Sequence, residues 1–135
     1  MSSRENKLIL WFEEVGKEDI AKVGGKIANL GELLTKAKVP VPPGFSVTTY
    51  AYKKFLEDTK IEDKIFSILE KIDIRDYKQL EEASNKIRQT IESTPIPEDI
   101  KKAIMNSYDE LSKRMKQENP LVAVRSSASA EDKEW

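Results

Sequence analysis

Two cations in this chain stand where an anion could be held. Lys26 follows the pair Gly24-Gly25 and opens an apolar-periodic run, Ile27 to Leu34. Arg125 ends the apolar run Leu121-Val122-Ala123-Val124 and precedes Ser126 and Ser127. A helix N-terminus carries unsatisfied amides and a partial positive charge, so phosphate binds there readily. Glycines remove the Cβ that would block a close approach, and lysine adds a mobile point charge. An arginine fork beside two hydroxyls suits phosphate or carboxylate. Four of the chain's five glycines lie between Gly24 and Gly44, the last of them in Val39-Pro40-Val41-Pro42-Pro43-Gly44-Phe45. Such clustering marks backbone that must turn sharply or approach something closely.

Each cation also has a plainer reading. A Walker A loop is excluded, because its Ser/Thr and its first glycine would fall on Ile27 and Ile20. On spacing alone, Gly24-Gly25 reads more readily as a tight turn, with Lys26 a solvated first-turn residue. Arg125 reads equally well as the partner of a local acid, Glu131 or Asp132. Those two carboxylates would hold magnesium only if further ligands converged on them, so no metal ligand is assigned. Tyr50, Tyr52, Trp11 and Trp135 could stack on a purine, but Trp11 lies in an apolar run and reads as core, and Trp135 is terminal. With no His and no Cys, a Ser-His-Asp triad, a thiolate and a phosphohistidine are all excluded, and no catalytic residue is assigned.

Composition narrows the rest. At 135 residues, length predicts a single domain over 1–135. The 23 basic and 24 acidic residues nearly cancel, which argues against a nucleic-acid surface and against a polybasic membrane anchor. No apolar run approaches the roughly 20 residues of a bilayer span, and a cytoplasmic protein is expected.

The elements that must position the two cations follow from periodicity. Leu8 to Phe12 is apolar and aromatic throughout and predicts a buried strand. A polar turn to Lys17 and a short helical piece over Asp19–Lys22 lead to the glycine pair. The next helix carries Ile27, Leu30, Leu34 and Ala37 on one face, with Lys36 and Lys38 in its last turn. Pro40, Pro42 and Pro43 hold the chain extended up to a strand at Phe45–Thr49. Thr48 or Thr49 then caps a helix from Ala51 to about Asp58. Three more helices carry the stripes Ile61, Ile65, Ile68, Leu69, Ile72; Tyr77, Leu80, Ala83, Ile87, Ile91; and Ile100, Ala103, Ile104, Leu111, Met115, the last opening at Pro97. Leu121 to Val124 predicts a short buried strand that delivers Arg125. The class is α+β, helix-rich with a few short strands.

Three strings in order carry a family resemblance: Val23-Gly24-Gly25-Lys26-Ile27-Ala28-Asn29-Leu30-Gly31-Glu32-Leu33, Val41-Pro42-Pro43-Gly44-Phe45, and Val124-Arg125-Ser126-Ser127-Ala128-Ser129-Ala130-Glu131-Asp132. The chain resembles the ATP-binding domain of the phosphoenolpyruvate synthase and pyruvate phosphate dikinase family, from about Val15 to Asp132. The resemblance implies the first part of an ATP-grasp fold. In it, Lys26, the amides at the helix start and Arg125 would contact the phosphates of ATP. It also implies magnesium in full-length relatives, with ligands outside this chain. Family members continue with a glycine-rich loop, adenine-binding strands, a phosphohistidine domain and a barrel that binds pyruvate or phosphoenolpyruvate. By that pattern the chain is expected to be an N-terminal fragment or truncated relative, inactive alone and prone to self-association. Alternatives are a stand-alone partner or regulatory subunit, and part of a dikinase with another acceptor, an antibiotic or a glucan.

Overall fold

The computed structural model describes residues 6–128. Glu131, Asp132 and Trp135 therefore lie outside the described residues. Two compact units are present: Met1–Tyr52 with Asp99–Trp135, and Lys53–Glu98.

In the first unit, β1 (Ile9–Trp11) pairs antiparallel with β2 (Phe45–Val47), in the register Ile9 to Val47, Leu10 to Ser46 and Trp11 to Phe45. This corrects the expected five-residue buried strand. Only Leu10 is buried, and Phe12 leaves the ladder to start a 3-10 turn, Phe12–Glu14, its amide donating to the Gly44 carbonyl at 3.1 Å. Nor is Trp11 a core residue. It is half-buried, its ring tilted against Phe45 at 5.3 Å and covered by the Arg114 guanidinium at 3.8 Å. A second 3-10 turn, Lys17–Asp19, runs into the single-turn helix α1 (Ile20–Val23), and Gly24 separates this from α2 (Gly25–Thr35). Leu10, Val15, Val23 and Ala28 form the core here, with Ile27 packed against them.

Helix α2 buries a different line from the one its large residues suggest. Ala28 and Gly31 are buried, whereas Ile27, Leu30 and Leu34 are half-buried and Ala37 lies past the helix end. Gly31 explains the shift: a Cβ there would sit 2.6 Å from a Val15 methyl carbon, so the smallest side chains face the nearest backbone. The last-turn cations also differ from expectation, since Lys36 is the C-cap and Lys38 lies beyond it with a positive φ of 55°.

Thr48 caps α3 (Thr49–Thr59): its hydroxyl accepts from the Ala51 amide at 3.2 Å and donates to the Lys7 carbonyl at 2.6 Å. Helix α3 continues into the second unit, where α4 (Ile61–Glu70) and α5 (Tyr77–Ser93) pack together. Asp76 caps α5 by accepting from the Lys78 and Gln79 amides at 3.0 and 3.4 Å. Their periodicity agrees with the sequence, but Ile61 and Ala83 alone in these two helices are fully buried, and Leu69, Tyr77 and Leu80 stay exposed.

Helix α6 (Glu98–Met115) starts directly after Pro97 and buries Ile100, Ser107 and Leu111 in the first unit. The segment after it is the largest departure from the sequence reading. Residues 121–124 form no strand, and Leu121 and Val124 are 98% and 91% exposed. An apolar, β-branched run is strand-prone, yet a strand gains stability only from a neighbour that takes its hydrogen bonds, and none pairs with it among the described residues.

Candidate functional site: a glycine turn against a serine segment

The two cation-bearing motifs, about 100 residues apart in sequence, meet through their backbones. The Gly25 amide donates to the Ala128 carbonyl at 3.3 Å. Gly24, at φ 82° and ψ 165°, makes the break between α1 and α2. A Cβ on Gly24 would lie 2.7 Å from the Ala128 nitrogen, so both its conformation and its surroundings require glycine.

Gly25 is different. A Cβ built there meets nothing within 4 Å, so the protein's own packing does not demand a glycine at the first position of α2. The open volume is where a bound group could approach the helix start. One amide of that start is already engaged within the protein. Gly25 N–H is engaged by Ala128, and Ala28 N–H donates to the Gly24 carbonyl at 3.0 Å. Lys26 stands exposed on the first turn. Arg125 is also exposed, and the Ser127 hydroxyl oxygen is buried with no hydrogen-bond partner among the described residues.

A set of contacts that sequence reasoning missed holds this turn from behind. Asp19 is fully buried. Its carboxylate accepts from the Gly16 amide at 3.0 Å and from Lys22 Nζ at 3.2 Å, while the Asp19 amide donates to the Gly16 carbonyl at 2.9 Å. Glu32, on α2, accepts from the Lys17 amide at 2.9 Å and pairs with Lys36 at 3.1 Å. The Lys17 amide and then the Lys36 ammonium hold the Glu32 carboxyl below its ordinary pKa, and Glu32 in turn raises that of Lys36. The available signal was the spacing of Asp19, three residues after Gly16 and three before Lys22.

The Arg125 segment is held from α6. The Tyr108 hydroxyl donates to the Pro120 carbonyl at 2.7 Å, just before the exposed run. Arg114 stacks on Trp11, donates to Glu13 and contacts Glu110 at 3.5 Å, which fixes α6 to β1 and the turn after it. Hydrogen bonding to Glu13 is the main reason the Arg114 pKa is raised further.

A glycine-started helix and an Arg-Ser-Ser-Ala segment are thus brought together in the first unit. Residues 20–134 match the family model of the pyruvate phosphate dikinase AMP/ATP-binding domain, and the chain belongs to that family. Among curated relatives, it is 51% identical to a probable phosphoenolpyruvate synthase of Staphylothermus marinus, over 96% of this chain and 16% of the relative. Identity is 48% to the probable phosphoenolpyruvate synthase of Methanothermobacter thermautotrophicus, over 93% of this chain and 18% of the relative. It is 42% to the phosphoenolpyruvate synthase of Escherichia coli, again over 93% of this chain but 16% of the relative. The chain is thus similar to a stretch of ATP-binding domain and spans less than a fifth of these proteins.

Among the described residues, no three acidic side chains converge as a metal site, and no helix is long and apolar enough to cross a membrane. The oxygen donors of the described residues do not by themselves fit magnesium.

Proposed function

We propose that this chain supplies the phosphate-contacting part of an ATP-grasp-type nucleotide site in a phosphoenolpyruvate synthase-like dikinase. Lys26 and the first turn of α2 contact the polyphosphate, and Arg125 offsets charge as a phosphoryl group leaves. ATP supplies the phosphoryl group; the residues of this chain bind and orient it and perform no covalent step. The observation that carries the reading is the open Cβ volume at Gly25, beside the turn where the two cation motifs meet. In the complete enzyme the reaction would be that of the relatives' name, with pyruvate as acceptor and magnesium ligands from other residues. Cytoplasmic location belongs to the same reading, as does a need for the polypeptide that the relatives carry beyond this stretch.

The test is calorimetric titration of the chain with ATP and magnesium beside Lys26→Ala and Arg125→Ala. Saturable binding, weakened about tenfold or more in each variant, is expected from the loss of one charge-assisted phosphate contact. A folded chain with no saturable binding overturns the reading.

A further inference from the structure

Helix α1 is a single turn, too short to hold a direction by its own hydrogen bonds. Something else must set its angle to α2, and with it the geometry of Gly24, Gly25 and Lys26. The turn Gly16–Asp19 is gripped from both sides. From the α1 side, the buried Asp19 carboxylate bridges the Gly16 amide and the Lys22 ammonium. From the α2 side, Glu32 holds the Lys17 amide, and the close seat of Gly31 on Val15 leaves that helix no room to slide. The two carboxylates hold adjacent residues of one short turn, Asp19 from the turn's own end where α1 begins and Glu32 from α2. The break between the helices is Gly24 itself, whose amide closes on the Ile20 carbonyl at 2.8 Å.

We infer that Asp19 and Glu32 are positioning residues for the nucleotide site: together they fix α1 against α2, so that the Gly24–Lys26 turn is formed before a phosphate arrives. The inference rests on the proposed phosphate site and goes beyond it in naming the residues that hold it in shape. Preorganisation of this kind acts on affinity in the folded protein, because a misplaced contact group costs binding even where the fold survives.

Glu32 gives the sharper test, since its carboxylate lies at the surface of the first unit. Glu32→Ala removes the acceptor for the Lys17 amide. Glu32→Gln keeps an amide oxygen in its place and discards only the charge. Titration of the 135-residue chain with ATP and magnesium, at a temperature where near-ultraviolet dichroism finds each variant folded, should give about fivefold to tenfold weaker binding for Glu32→Ala and recovery to within about twofold for Glu32→Gln. Asp19→Asn should weaken binding similarly. In a Lys26→Ala background it should add less than about twofold, because it acts through the placement of that lysine. If Asp19→Asn does not fold, the Glu32 pair decides alone. Equal affinity of wild type and Glu32→Ala, with only thermal stability lowered, overturns the inference and leaves the phosphate site standing. No binding by the folded wild-type chain overturns the site, and the inference with it.

Discussion

Residues 16–32 and residues 120–128 each carry one of the two cations, and they are held in opposite ways. Around Lys26 the backbone is locked by a buried carboxylate, a surface carboxylate, a positive-φ glycine and a helix seated on a carbonyl. Around Arg125 the chain is tied at its ends, by Tyr108 at Pro120 and by Gly25 at Ala128, while Leu121 and Val124 between them face solvent. The difference teaches that the two halves of one proposed site need different support. The lysine half is built by its own neighbourhood, whereas the arginine half carries a strand-prone run that no strand pairs with among the described residues.

Five changes would break or sharpen that contrast. The largest effect is expected from Asp19→Ala, which leaves Lys22 without its buried partner and the Gly16 amide without its acceptor. Loss of about 3 kcal/mol should appear as a lower urea midpoint. Gly24→Ala comes next, at about 2 to 3 kcal/mol, because a Cβ there meets both an unfavourable φ and the Ala128 backbone. Gly25→Ala is its control: with open space at the Cβ, it should leave the urea midpoint unchanged or raise it, and yet weaken ATP in titration. Equal destabilisation by the two would erase the distinction between the glycines. Tyr108→Phe should cost about 1 kcal/mol and speed amide exchange in residues 121–128 more than in α2. Smallest is the paired change Leu121→Ser and Val124→Ser, which should move stability by less than about 0.5 kcal/mol, since neither side chain is buried. Sedimentation should then detect less self-association than in the wild type.

Acid probes the lysine half again. The folded state lowers the Glu32 pKa, so the carboxylate stabilises the fold above its ordinary value of 4.5, and that contribution is lost as pH falls through the depressed value. Urea midpoints followed against pH should fall less steeply on the acid side in Glu32→Gln.

Much of the helical framework was legible because it rests on local rules. The Thr48 cap, the Pro97 boundary and the stripes of α4, α5 and α6 follow from chemistry within a few residues. Depth of burial was not legible, because it depends on what lies across from each face. Ala28 and Gly31 displaced the larger residues of α2 once the Val15 carbonyl was the neighbour. The strand at 121–124 failed for the converse reason: its own residues favour extension, but the partner strand that extension needs is not among those described. For the candidate site, Lys26 and Arg125 were visible through motif and resemblance. Asp19 and Glu32 were not, since a carboxylate's role in holding a turn emerges only when the chain folds back on it.

The stacking of Arg114 on Trp11 also makes the molecule report on itself. Indole fluorescence responds to a cation held over the ring, and Trp11 shares the chain with only one other indole, Trp135. With Trp135 replaced by phenylalanine, the emission of Trp11 becomes a single-site optical gauge of whether α6 is seated. Because α6 leads into the Arg125 segment, light read from one end of the first unit follows the anchoring of its second cation.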